Sequence, residues 1–220
     1  MPPTPDSGPP SGSKADSQIA YSAEEALAMD RWLIEERGFT LEGLMAEAGL
    51  RLAEAILELC EAHRLTRVLF LVGPGNNGGD ALVAHGVLES GFEREIWRPF
   101  HETKTPVLDS ETLVVDGLFG VGLARGIEGE ARRAVEHVKS SPARVLAVDV
   151  PSGLSATTGE VVGSAGVAIV AHETLTFVGP KKGFFIGDGP AYVGRWRAVE
   201  IGFPAQEAET WLEAWRRDRC

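Results

Sequence analysis

Short apolar runs alternate with amphipathic stretches along most of the chain. Apolar runs that are separated by helices indicate a parallel sheet joined by right-handed crossovers. We therefore expect an α/β fold in which the Gly-rich C-terminal third extends the same sheet. The pattern predicts helices over residues 80–90 and 127–140, and strands over residues 68–72, 94–98, 112–116, 144–149, 172–178 and 196–201.

Two further helices are predicted before the first strand. The stretch Ser22-Ala23-Glu24-Glu25 is a capping-box pattern, and Gly38 ends the helix that follows it. A second helix begins after Thr40, and these helices precede the sheet, so they add a layer or a dimer surface. The apolar stripe of the second helix has helical spacing and consists of Met45, Ala48, Leu52, Ala55 and Leu59.

The length of 220 residues suits one sizeable α/β domain, which we expect over residues 21–204. Residues 1–20 are rich in Pro, Ser, Gly and Asp and lack the features of a secretory signal, so they predict a disordered tail. Residues 205–220 predict a C-terminal helical tail with a solvated basic end.

The formal net charge of −11 opposes binding to nucleic-acid phosphates. Only two cysteines are present, and they lack the spacing of metal ligands. So few cysteines fit a reducing compartment, and we expect the protein in the cytoplasm. No run approaches the roughly 18 apolar residues that a membrane span requires.

The first strand ends in Gly73-Pro74-Gly75-Asn76-Asn77-Gly78-Gly79-Asp80. We expect these glycines to adopt positive φ and to let the backbone approach a ligand at the start of the next helix. The glycine spacing alone is a weak signal that also occurs in turns without a ligand. Two carboxamides and a carboxylate in one loop favour a binding site.

A dinucleotide-binding loop is one alternative for this stretch. Such loops hold a diphosphate and have an acid about 20 residues later for the ribose. Asp80 would repel a diphosphate, and the second strand ends in Arg98-Pro99 with no acid. Because Arg98 could suit a 2′-phosphate, an NADP-dependent oxidoreductase stays open as an alternative.

Two later strands each end on an acid, Asp116 and Asp149. Ligands bind beyond the carboxyl ends of parallel strands, so both acids should converge with Asn76, Asn77 and Asp80 in one crevice. Each acid could instead only cap a turn. Asn77, Asp116 and Ser152 offer oxygen ligands that suit a hard cation, either a monovalent ion or magnesium.

Several motifs in this order resemble the NAD(P)H-hydrate epimerase family, the YjeF N-terminal domain, over about residues 22–203. The resemblance implies a Rossmann-like three-layer α/β/α sandwich with a mostly parallel central sheet and helices on both faces, usually a homodimer. It implies an isomerase that interconverts R and S forms of hydrated NADH and NADPH for an S-specific dehydratase. The motifs are residues 73–80, 116–123, 149–154, 174–177 and 181–183.

The resemblance implies one potassium ion per subunit, held by Asn77, Asp116 and Ser152. Asp149 is our hypothesis for the acid/base of the reaction, with Lys181 assisting. The substrate contacts that the resemblance implies are Asn76, Asn77, Gly78, Gly79, Asp80, Gly120, Val121, Gly122, Leu123, Ala124, Arg125, Gly126 and Asp149.

Two departures from the family pattern stand out. Residues 154–159 read Leu-Ser-Ala-Thr-Thr-Gly where the family often has two acids, and His85 stands where an Arg is common. The chain ends too early for a fused dehydratase, so we expect the dehydratase to be a separate protein. Some relatives are non-catalytic scaffolds, which is the second alternative, but scaffolds tend to lose the site acids that this chain keeps.

Overall fold

The computed structural model describes residues 19–88, 91–102 and 104–219. The expected disordered tail over residues 1–20 lies almost wholly outside the described residues. The helices are α1 (Ala23–Glu35), α2 (Leu41–His63), α3 (Asn76–Val87), α4 (Gly129–Ser140), α5 (Gly189–Tyr192) and α6 (Ala205–Arg217), with a 3₁₀ turn at Lys182–Phe184. The strands are β1 (Arg67–Val72), β2 (Glu93–Trp97), β3 (Thr112–Gly117), β4 (Arg144–Val148), β5 (Glu173–Phe177) and β6 (Arg195–Val199).

All six strands form one parallel sheet in the order β2-β1-β3-β4-β5-β6. The predicted α/β class is confirmed, and β5 and β6 extend the same sheet as expected. The strand order reverses direction between β1 and β3. In a sheet of this kind that reversal creates a crevice beyond the carboxyl ends of the two strands.

Helices cover both faces of the sheet, which completes the three-layer sandwich. Phe70 of β1 packs on the face that carries α1, α2, α3 and α6. Its neighbours Leu69 and Leu71 point to the other face, where Ala134 and Val135 of α4 pack. Each such side chain is fully buried, and burial contributes about 1.5–3 kcal/mol apiece.

Helix α3 begins four residues earlier than the sequence predicts. Gly75, in an extended conformation, is the N-cap, and its carbonyl accepts a hydrogen bond from Gly79 N at 3.2 Å. Asn76 to Gly79 are therefore the first helical turn and not a loop. Sequence reasoning placed the start at Asp80 because it assigned the glycines to a loop with positive φ.

Helix α6 is bonded to the first turn of α1. The predicted capping box is confirmed: Ser22 N donates to Glu25 Oε2 at 2.7 Å, and Glu25 N donates to Ser22 Oγ at 3.2 Å. Glu25 also accepts from Arg216 Nε of α6 at 2.7 Å and pairs with Lys182 Nζ at 3.0 Å. The expectation of a solvated basic end was thus wrong for Arg216, because a buried carboxylate needs a charged partner.

Among the helices of the described part of the chain, none is both long and apolar enough to cross a bilayer.

Candidate active site

A cavity of about 550 Å³ opens at the carboxyl ends of the strands, at the reversal of the strand order. Its inner wall carries Asp149 and Lys181, and helices α1 and α2 form an apolar outer wall. The cavity brings together most of the residues predicted from the sequence. These are Asn76, Asn77, Asp80, Gly120, Val121, Gly122, Leu123, Ala124, Arg125 and Asp149.

Asp149 is held in a strained and well-bonded position. Its φ of 62° lies in the left-handed region, which few residues other than glycine adopt. Oδ1 accepts hydrogen bonds from Lys181 Nζ at 2.7 Å, Thr176 Oγ1 at 2.9 Å and Phe177 N at 3.2 Å. Within the described residues no protein group donates to Oδ2. One carboxylate oxygen is therefore fixed, and the other is available to a ligand in the cavity.

Lys181 has no spare hydrogen-bonding capacity. Its side chain is 3% exposed, and Nζ donates to Asp149 Oδ1 and to Thr176 Oγ1, each at 2.7 Å. The carbonyl oxygens of Phe177 and Gly179 lie 3.2 and 3.1 Å from the same nitrogen. An ammonium has three N–H donors, and four acceptors already surround this one. Lys181 thus orients Asp149 in this geometry.

Two more carboxyl groups face the same cavity. Burial raises the pKa of Asp80 to about 8, and the negative charges of Asp149 and Asp30 add to that rise. Burial raises the pKa of Asp30 to about 6, with Asp149 contributing in the same direction. Near neutral pH the cavity therefore holds a carboxyl proton.

Sequence reasoning missed Asp30. It lies on α1, which precedes the sheet and carries no motif, and α1 covers the cavity with Ala26, Leu27 and Ile34. The available signal was an acid at the spacing of an apolar helix face, where a carboxylate without a partner is costly.

Of the three predicted cation ligands, Asn77 lines the cavity, whereas Asp116 and Ser152 are fully buried and do not line it. Ser152 Oγ is 2.6 Å from Asp116 Oδ1, and Ser152 N donates to Asp116 Oδ2 at 2.8 Å. Asn77 Nδ2 donates to the carbonyl oxygen of Phe119 at 3.1 Å, and Ser152 Oγ lies 3.1 Å from the same oxygen. Asn77, Asp116 and Ser152 are therefore brought together around the loop that follows β3.

Asp116 is fully buried, and the groups that donate to it are all uncharged. Burial raises the pKa of Asp116 to about 6, although hydrogen bonds from Ser152 and Leu118 oppose that rise. A buried carboxylate surrounded by neutral donors and further oxygen atoms fits a monovalent or divalent hard cation.

Gly73, Gly78 and Gly79 of the first motif serve close packing and not positive φ, whereas a Cβ on Gly75 would meet nothing within 4 Å. None of Gly73, Gly75, Gly78 and Gly79 has a positive φ, so that expectation was wrong. A Cβ on Gly73 would lie 1.7 Å from Leu118 O, which shows how closely the loops after β1 and β3 approach each other.

Three predicted substrate contacts do not line the cavity. A Cβ on Gly78 would meet the carbonyl of Gly73, and one on Gly79 would meet Met45 of α2. Gly126 packs near the carbonyl of Val162. Their contact with a substrate stays a prediction.

Neither departure from the family pattern disturbs the cavity. His85 packs edge-on against Phe70 with 5.2 Å between the ring centroids, so it belongs to the core of α3. In the loop that lacks the two acids, Thr157 Oγ1 accepts from Ala23 N at 2.9 Å. This bond ties the loop to the start of α1.

Comparison with known proteins identifies the family. The family model of the YjeF-related protein N-terminus matches residues 41–102 and 94–183. The chain belongs to this family. The matched YjeF_N region includes the loops after β1, β3, β4 and β5, and therefore most of the cavity.

Curated YjeF_N relatives cover most of the chain. The NAD(P)H-hydrate epimerase of Bordetella pertussis is 36% identical over 210 residues, which are 84% of this chain and 90% of that protein. The NAD(P)H-hydrate epimerase of Lentilactobacillus buchneri is 32% identical over 83% of this chain and 94% of that protein.

A longer kind of relative also matches. The bifunctional NAD(P)H-hydrate repair enzyme Nnr of Thermosynechococcus vestitus is 31% identical over 83% of this chain. The chain spans about 40% of that relative's length. Among solved structures, the yeast protein YNL200c superposes with a TM-score of 0.68 at 21% identity, covering 88% of this chain and 93% of that one. This likeness shows the fold.

Proposed function

We propose that this YjeF_N protein is an NAD(P)H-hydrate epimerase that interconverts the R and S forms of hydrated NADH and NADPH. The observation that carries the proposal is the Asp149 carboxylate, with one oxygen fixed by Lys181 and the other open to the cavity. Two relatives named NAD(P)H-hydrate epimerase, which this chain matches over 94% and 90% of their length, support the proposal.

The chemistry requires a proton donor and a proton acceptor. Carbon C6 of the hydrated ring must become planar and then accept oxygen on its other face. Asp149 Oδ2 can take the proton of the incoming water, while the bonds to Oδ1 hold the carboxylate in place. Asn76, Asn77 and Asp80, with the loop at 120–126, would bind the substrate.

We further propose a potassium site at Asn77, Asp116 and Ser152, with the Phe119 carbonyl as another oxygen ligand. The fit rests on a fully buried Asp116 carboxylate whose donors are all neutral. A bound potassium ion would neutralise that charge and stiffen the loop after β3, which lines the cavity. One ion per subunit is expected.

The proposed partners are a second copy of the chain and a dehydratase that consumes the S form. Leu50 and Leu57 are 45% and 42% exposed and lie seven residues apart on one side of α2, which supports a homodimer. Sedimentation of the wild type and of Leu57→Glu tests this.

The cytoplasm remains our expected location.

A coupled assay tests the proposed activity. Mixed R and S hydrates are given to an S-specific dehydratase, with and without this protein, and the return of NADH absorbance is followed. An epimerase raises the recovery past the S fraction to near completion. An unchanged plateau with folded protein and potassium present would overturn the proposal.

The same assay separates the two alternatives. A non-catalytic scaffold leaves the plateau where the S fraction sets it. An NADP-dependent oxidoreductase changes the signal only when a carbonyl or alcohol substrate is added. Arg98, the residue that suggested this alternative, is not among the residues that line the cavity.

A further inference from the structure

Asp30 occupies an unusual position on the outer wall of the cavity. It lies on α1 one turn after Ala26 and one turn before Ile34, and all three side chains line the cavity. Within the described residues Asp30 accepts no hydrogen bond and forms no ion pair. Placing an unpaired carboxyl group on an apolar wall is costly, so its presence calls for a role beyond packing.

Asp30 lines the same cavity as Asp149 and Lys181, and the charges of both act on it. It lies close enough to Asp80 and Asp149 that the charges influence one another. Arg31 is its charged neighbour on α1. The titratable and charged groups that share the cavity with Asp30 are Tyr21, Asp80, Arg125, Asp149 and Lys181.

These groups divide into two environments. The Asp149 carboxylate is bonded to an ammonium, a hydroxyl and a backbone N–H. Asp30 and Asp80 have no such donors among the described residues. The negative charges of Asp149 and Asp30 act on Asp80, and that of Asp149 acts on Asp30. Carboxyl groups whose surroundings differ in this way can serve as the base and the acid of one reaction.

We propose that Asp30, together with Asp80, is the proton-donating half of the site, opposite Asp149 as the proton-accepting half. The proposal rests on the epimerase function proposed above. At neutral pH the pair holds one proton, which the negative charge of Asp30 helps Asp80 to keep. Asp30 thereby keeps the donor protonated at neutral pH.

The step balances without any further reactant. The carboxyl pair gives a proton to the C6 hydroxyl, the C6–O bond breaks, water leaves, and the lone pair of the ring nitrogen forms the iminium double bond. A second water then adds to C6 from the other face while Asp149 accepts its proton. Solvent returns a proton to the pair and removes one from Asp149, so one water has replaced another and nothing is oxidised.

The test compares Asp30→Asn with Glu35→Gln, which removes an exposed carboxylate from the end of the same helix. The rate of R-to-S conversion is measured against pH with excess S-specific dehydratase. In the wild type we expect the rate to fall as the pair loses its one proton, near pH 8. In Asp30→Asn that fall should move about one pH unit lower, with roughly a fivefold loss of rate at pH 8.

The matched control and a thermal melt exclude a structural explanation. Glu35→Gln should keep the wild-type profile, and Asp30→Asn should melt no lower than the wild type because Asp30 makes no bond that the change removes. A wild-type profile in Asp30→Asn would overturn the proposal while the epimerase function stands. A wild type that does not epimerise would overturn both.

A second measurement covers the case in which Asp30→Asn does not fold. Carbon-13 NMR of the aspartate side chains in the wild type should show two coupled carboxyl groups that titrate well above the usual range near 4. The signal of Asp116 is identified by its loss in Asp116→Asn. If no other aspartate titrates well above 4, the proposal is wrong.

Discussion

Lys181 Nζ lies 2.7 Å from Asp149 Oδ1, and the two side chains are only 3% and 13% exposed. Burying an ion pair costs desolvation energy that the mutual attraction only partly repays. The adjoining backbone is also unusual, because both Asp149 and Val178 have a positive φ. Strain of this kind persists where the surrounding structure fixes it, and it clusters at functional sites. The pair is therefore best explained by the chemistry it positions.

The first prediction concerns Asp149 itself. Asp149→Asn should keep the fold but slow R-to-S conversion by about 100-fold or more, since it removes the proton acceptor. Initial rates in the coupled assay, with circular dichroism as the check on folding, measure this. Near-normal turnover by a folded variant would remove Asp149 from the mechanism.

The second prediction concerns its partner. Lys181→Met leaves the Asp149 carboxylate without its ammonium and should lower the free energy of unfolding by about 3–5 kcal/mol. Denaturant unfolding measures this, and Lys104→Met, at an exposed position, is the control. The double variant Asp149→Asn/Lys181→Met should lose less stability than the sum of the two single variants. Additive losses would show that the two side chains are not coupled.

The sequence predicted most of the sheet and the place of the cavity. Apolar runs mark buried parallel strands locally, and the strand order then places the cavity. The expectation that Asp116 joins Asp149 in the crevice was wrong, because Asp116 is fully buried against Ser152. The first turn of α3 was harder, because Gly78 and Gly79 are poor helix formers whose presence is explained by contacts with Gly73 and Met45. Those contacts come from packing and leave no local pattern.

The missed parts of the site depend on long-range contacts. Asp30 reaches the cavity only because α1 folds over the ends of strands that come later in the chain. Arg216 and Glu25 are 191 positions apart, so no periodicity could join them. The four acceptors around Lys181 Nζ are likewise brought together by the folding of the segment around Gly179. The sequence motif alone does not show them.

The third prediction concerns the proposed cation site. Potassium should raise the melting temperature, because an ion that binds only the folded state stabilises it by about 1.4 kcal/mol at ten times its dissociation constant. The melt is measured in potassium chloride against lithium chloride at equal ionic strength. Asp116→Asn should abolish the difference between the two salts. Equal melting temperatures in both salts for the wild type would count against the site.

The last prediction uses the bond network that joins α1 to α6. Arg216, Ser22 and Lys182 hold the pKa of Glu25 near 2, well below its ordinary 4.5, against the opposing effect of burial. A carboxylate whose pKa is lower in the folded state stabilises the fold above its unfolded pKa. The contribution is therefore complete above about pH 5 and is lost as the pH falls through about 2.

Glu25→Gln should lower the free energy of unfolding by about 3 kcal/mol at pH 7, since the side chain is 5% exposed and the bonds are little screened. The difference from the wild type should fall to about half near pH 3, where the unfolded carboxyl is already protonated. Urea unfolding at both pH values measures it, with the exposed neighbour Glu24→Gln as the control. A difference that stays the same at pH 3 would mean that the lost stability comes from packing and not from the charge of Glu25.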